Sequence, residues 1–222
     1  EEISHGFKAS GEVHYVLKGA GRSVNDGVEI LWTEGDAFCF PGGAKTSHAA
    51  SEDALLVSVT DQPHLNHFRF QPPAKSDAFV KPAVFRSERI NGALQSVHDR
   101  EGPQETAGKF VTFSTDLMEG TVRGTLMPTL LASVNSLEPG ADQRTHIHNA
   151  AALTVCVQGE GVYSMMGEER VDWLPLSVMV TPPNVQHSHH NRGTEMMKAF
   201  VVQDGPLYYY LRATGFRWPD PE

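Results

Sequence analysis

The amino-acid sequence predicts an all-β protein: two antiparallel β-barrel or jelly-roll units, over residues 1–65 and 116–222, joined by an irregular connector over 66–115. Three observations lead there. Apolar or β-branched runs recur about every 8–12 residues, each bounded by Gly, Pro, Asn or Asp, while helical periodicity is scarce. Gly and Pro, 20 and 14 of 222 residues, exceed their average joint usage of roughly 12%, as a chain of many short strands and turns requires. The two halves also carry similar punctuation, which makes duplication of one barrel motif the simplest account.

The strand-like runs of the first half are His14–Leu17, Ala37–Phe40 and Leu55–Val59. Asn25-Asp26-Gly27 reads as a hairpin turn, because these residue types tolerate positive φ. The pattern breaks between about Asp61 and Asp116, where Gln71-Pro72-Pro73, Lys81-Pro82 and Gly102-Pro103 predict short irregular helix or extended pieces. It resumes with Val134–Leu137, Leu153–Val157, Ser177–Thr181 and Met196–Val202. In the first half, Glu12 precedes Gly19 by seven positions, and Gly35, Pro41 and His48 follow. This parallels Gly140, His146-Ile147-His148, Gly159, Pro182 and His187 in the second.

Composition removes several classes of function. The net charge of −9 and the lack of any Lys/Arg run argue against a nucleic-acid groove or an anionic membrane surface as partner. The longest apolar stretches, such as Ala54–Val59, fall far short of a membrane span. Cys39 and Cys156 have no CxxC spacing and lie in apolar runs, so they are expected to be buried reduced thiols, and a cytoplasmic setting follows from that reading. The sequence opens at Glu1 without Met or a signal-peptide pattern, so further sequence is expected to precede it.

The informative residue is histidine. Eleven occur, and His146, His148, His187, His189 and His190 crowd into one short window. On a strand, side chains two apart share a face, so His146 and His148 can hold one metal together, with His187 as a third ligand from another segment. Imidazole suits Fe, Ni, Cu and Zn, and three protein ligands leave positions open. By the same parity His189 faces with His187, and His190 faces outward. Arg144 shares the face of His146 and can pair bidentately with a substrate carboxylate, or form an ordinary rim salt bridge. Asn149, Gln158 and Trp173 are weaker pocket residues, for which turn or core packing is the default. In the first half His5, Glu12 and His48 repeat part of the pattern, with Phe7 where a second HxH histidine would stand; a degenerate, structural barrel is favoured there over a second metal. His14, His64, His67 and His98 remain unassigned, and Tyr208-Tyr209-Tyr210 is read as strand packing or an interface.

Gly140, five residues, His146-Ile147-His148, then Gly159, followed by Pro182, four residues and His187, resembles the two signature motifs of the cupin superfamily. The resemblance spans both units, specific in the second and eroded in the first, and implies a bicupin. Cupins usually carry Glu where this chain has Ala152. That absence, with the Thr181–His189 ending and the segment Glu168–Trp173, resembles the gentisate 1,2-dioxygenase branch and its salicylate and 1-hydroxy-2-naphthoate relatives. The resemblance implies Fe(II) on His146, His148 and His187, substrate handling by His189, and a homo-oligomer. In typical members the metal-bearing barrel is the earlier one, whereas here the intact motif lies second.

Three neutral imidazoles leave a dication at +2, which favours an anionic chelator and gives a physical reason for the missing carboxylate. The function expected is ring cleavage of a small aromatic hydroxy-acid by O2, with His189 and Arg144 as catalytic residues. The alternatives are a cupin isomerase, lyase or hydrolase using the same histidines with a Lewis-acid metal, and a small-molecule-binding cupin without turnover.

Overall fold

A computed structural model describes residues 2–100, 108–115, 124–213 and 215–219; Gly102-Pro103 and the expected boundary at Asp116 lie outside the described residues. The chain forms two compact units, the first from the described parts of 1–90 and 113–130, the second from those of 91–112 and 131–222.

In the first unit the strands are β1 (Glu2–His5), β2 (Gly11–Lys18), β3 (Ala20–Asn25), β4 (Val28–Thr33), β5 (Ala37–Pro41), β6 (Thr46–Ala50) and β7 (Leu55–Thr60). Helix α1 (Gln62–Phe68), strand β8 (Ala83–Phe85) and the start of α2 (Ser87–His98) follow. They make two antiparallel sheets, ordered β1-β6-β3-β4 and β7-β2-β5-β8. The period-2 pattern decides which side is buried: in β4, Ile30 and Trp32 point into the core while Glu29 and Leu31 do not. Those two meet Val16, Phe38 and Phe40 from the other sheet, so the core lies between the sheets. The β3–β4 hairpin closes through Asp26 and Gly27 at φ 47° and 79°, the paired positive values of a two-residue turn that matches strand twist.

In the second unit β9 (Lys109–Thr112), β10 (Leu131–Leu137), β11 (Ala152–Gln158), β12 (Val162–Met166), β13 (Glu169–Asp172), β14 (Val178–Thr181), β15 (His187–Asn191) and β16 (Met197–Gln203) precede α3 (Gly205–Tyr210). The sheets are β14-β11-β16-β10-β9 and β13-β12-β15, again antiparallel. Leu137, Ala152, Cys156, Val162, Trp173, Met197, Ala199 and Val201 form their shared core. The fold is therefore all-β, with two barrel-like units. The segment expected to be irregular supplies β8 to one unit and β9 to the other. The Tyr208–Tyr210 run is helical, not strand: Pro206 sits in the first turn of α3, where its missing N–H costs nothing. Both cysteines are buried free thiols, and burial pushes Cys39 up to about 12. No helix among the described residues is long and apolar enough to cross a membrane.

Candidate metal centre

His187 opens β15, and His146 is bridged to it by two backbone hydrogen bonds of 3.0 Å, one in each direction. Same-face parity brings His148 alongside. Ring centroids lie 4.2 Å apart for His146 and His187, 4.6 Å for His148 and His187, and 5.6 Å for His146 and His148. One ligand nitrogen from each lies within 4.8 Å of the others, and all three residues are buried. Each ring donates Nδ1–H to a backbone carbonyl: His146 to Arg144 at 3.0 Å, His148 to Ala150 at 2.8 Å, His187 to Val185 at 2.9 Å. A carbonyl only accepts, so these bonds fix the tautomer and leave Nε2 of every ring as an unprotonated donor. Metal-bound imidazoles are oriented in the same way. Burial lowers the pKa of all three, His187 to about 4 with help from His146 and His148, so the rings are neutral and ready to ligate at neutral pH.

His189 lies beside this triad, its ring 6.1 Å from that of His187. Its Nδ1 is 2.7 Å from Ser164 Oγ, which accepts the Trp173 indole N–H at 2.7 Å. Desolvation, then the neighbouring imidazoles, push its pKa down to about 3. Arg144 is exposed, with its guanidinium carbon 4.1 Å from the centroid of Trp218. The residues sequence reasoning missed are Phe216 and Trp218, whose rings lie 5.5 and 6.3 Å from that of His146. They are held there by backbone bonds of 2.9 Å exchanged between Ile147 and Arg217. Asn149 fastens the same segment, accepting from Gly215 N–H and donating to the Ala213 carbonyl. Their signal was the aromatic pair flanking Arg217, spaced like a strand. Gln158 is drawn away, donating to Glu195, and Trp173 belongs to the core. His190 leans outward, its ring stacked on Tyr163 and its Nδ1 2.6 Å from Asp142.

The first unit repeats this plan with different donors. Trp32 donates to Ser23 Oγ at 2.8 Å, and Ser23 Oγ lies 2.7 Å from His48 Nδ1. Cross-strand register pairs Ser23 with His48 as it pairs Ser164 with His189. His48 is thus the counterpart of His189, not of His187 as the order of landmarks suggests, and it follows Pro41 at the distance at which His189 follows Pro182. The counterpart of His187 is Thr46, which pairs with His5 as His187 bridges to His146. The imidazoles brought together are His5, His14 and His48. Glu12 stands among them, 3.0 Å from His5 and 3.6 Å from His14. His14 could have been found from its strand parity with Glu12.

Residues 134–203 match the cupin domain family. A cupin domain thus lies within the second unit. It is similar to a gentisate 1,2-dioxygenase of Ralstonia sp., 27% identical over 144 residues, which are 65% of this chain and 38% of the relative. A 5-nitrosalicylic acid 1,2-dioxygenase of Bradyrhizobium sp. is 25% identical over 126 residues, 56% of this chain and 59% of the relative. The chain thus spans about half the length of the curated relatives it matches. The bicupin fold resembles a variant of salicylate 1,2-dioxygenase from Pseudoaminobacter salicylatoxidans, with a TM-score of 0.80 and 16% identity over 100% of this chain and 73% of that one. A variant of the same enzyme in complex with gentisate gives 0.77, at 15% identity over 99% and 72%. The cupin's likeness therefore falls in the gentisate dioxygenase branch.

Proposed function

We propose that this cupin is an Fe(II)-dependent dioxygenase that cleaves the ring of a small aromatic hydroxy-acid in the gentisate manner. The observation that carries the reading is the triad itself: three buried imidazoles tethered at Nδ1, with buried Ala152 where cupins usually place a carboxylate. When bound, Fe(II) supplies a redox-active dication with positions open to a chelating anion and to O2. Overall, both oxygen atoms of O2 enter the product as one ring carbon–carbon bond breaks. His146, His148 and His187 hold the ion. Arg144, stacked on Trp218 at the rim, orients the substrate carboxylate by paired hydrogen bonds. Phe216 and Trp218 give the aromatic ring an apolar wall.

His189 is neutral at working pH, with Ser164 against its Nδ1. Its Nε2 accepts the proton of the substrate hydroxyl and returns it later, in line with base catalysis by a positioned imidazole. Burial and the neighbouring imidazoles keep the ring unprotonated, so the residue starts the cycle able to accept a proton.

Protein purified anaerobically and loaded with Fe(II) should consume O2 with at least one of gentisate, salicylate and 1-hydroxy-2-naphthoate, followed with an oxygen electrode. His146→Ala should lose both iron and uptake. Arg144→Ala should raise KM by about tenfold or more, the size of one lost charge-assisted pair, with a smaller change in kcat. Iron-loaded protein that takes up no O2 with any of the three would sink the assignment.

A further inference from the structure

We propose that the first unit holds a second divalent transition-metal ion, on His5, His14 and His48 with the Glu12 carboxylate completing the set. One ligand nitrogen from each histidine lies within 4.8 Å of the others, the same limit met by the triad of the second unit. His14 is fully buried; its Nδ1 is 2.8 Å from Ser58 Oγ, while its Nε2 has no hydrogen-bond partner and lies 3.6 Å from Glu12 Oε1. A buried nitrogen without a partner is costly unless something outside the protein meets it. His48 is steadied at Nδ1 by Ser23, whose hydroxyl oxygen also receives the Trp32 N–H. A hydroxyl oxygen has two acceptor positions, so it can take both N–H groups and leave Nε2 of His48 as a donor.

The carboxylate points the same way. Glu12 is 1% exposed, and the groups that reach it are His5, His14 and Thr46, none a permanent cation. A buried carboxylate left without a permanent positive partner is unfavourable, and a dication among these four groups supplies the missing charge. His5, whose side chain is 23% exposed, stands on the accessible side of the cluster.

This set is not a worn copy of the triad in the second unit. Phe7 and Thr46 occupy the positions of His148 and His187, so two of that triad's three donors are gone. Their replacements are His48, the counterpart of His189, and His14 of β2, whose counterpart in the second unit, β11, carries no histidine. Three neutral imidazoles and a carboxylate leave a dication at +1 rather than +2, so this centre depends less on an anionic ligand to retain its ion. An N3O set of this kind suits first-row ions such as Mn, Fe, Co, Ni or Zn.

The 222-residue chain, treated with chelator and titrated with Co2+ under argon, followed by its visible d–d absorption and by elemental analysis, tests this. The wild type should bind two equivalents. His14→Ala and His5→Ala should each bind one, and His146→Ala should also bind one, with a spectrum distinct from theirs. His5→Ala keeps the test open if loss of the fully buried His14 disturbs folding, checked by circular dichroism. A wild type that binds one equivalent, lost in His146→Ala and kept in His5→Ala, would overturn the proposal. One equivalent lost only in His5→Ala would uphold it and remove the centre assigned to the second unit.

Discussion

At the level of single residues, His48, His187 and His189 share a neutral state that carries a measurable cost in acid. Burial holds His48 and His187 at about 4 and His189 at about 3, whereas an unfolded chain titrates near 6.5. Between these values the unfolded state binds more protons, so stability is complete above about pH 6.5 and falls as pH drops toward 4. Metal-stripped protein should therefore show a melting temperature that declines steadily from pH 7 to pH 4.5, and His189→Gln should flatten the decline. A level profile in the wild type would contradict the burial of these rings. His146 and His148 were legible as neighbours because two-residue spacing on extended chain fixes a shared face, while His187 was matched to them by residue type and its place after Pro182, and a bridge to His146 brings it there. His14 was not legible, because its partners come from strands far away in the chain and its parity with Glu12 acquires meaning only once β1 and β6 close over it.

At the level of elements, most strands were legible and most helices were not. Strands announce themselves by alternation and by turn residues, as at Asp26-Gly27. Helix α2 buries Ile90 and Leu94, four residues apart, but this short signal sits among prolines and polar residues that mask it. The turns reveal unequal solutions to one geometric demand. Gly35 at φ 81° donates to the Val16 carbonyl at 2.9 Å, and Leu176 at φ 62° donates to that of Cys156 at 3.2 Å. Left-handed backbone suits glycine and costs a branched side chain roughly 1–2 kcal/mol. Leu176 is 47% exposed, so little packing is lost when it is removed. Leu176→Gly should raise stability by up to about 1 kcal/mol, part of the relief being offset by the greater freedom of glycine in the unfolded chain; denaturant melts with an unchanged slope would report it. Gly35→Leu should do the reverse, since a Cβ there would meet Ser87 Cβ at 2.9 Å.

At the level of the whole molecule, one motif has been used twice and furnished differently. The Trp–Ser–His chains of Trp32, Ser23 and His48 and of Trp173, Ser164 and His189 persist in both units, while the groups at the ligand positions have diverged. Duplication was visible in the spacing of Gly, Pro and His, yet matching His48 to His187 set the halves two residues out of register, although Pro41 to His48 spans the same length as Pro182 to His189. The segment around Arg217 adds a kinetic dimension. It touches no ligand nitrogen by hydrogen bond, but lays Phe216 and Trp218 against the ring of His146. If the proposed metal sits on the three imidazoles, its equilibrium affinity would belong to them, while its rate of exchange would belong to the side chains laid over them. A chain cut back to Ala213 and loaded with Fe(II) should hold the ion at equilibrium as the uncut chain does and surrender it to a small bidentate chelator several times faster, a difference that stopped-flow absorbance would resolve.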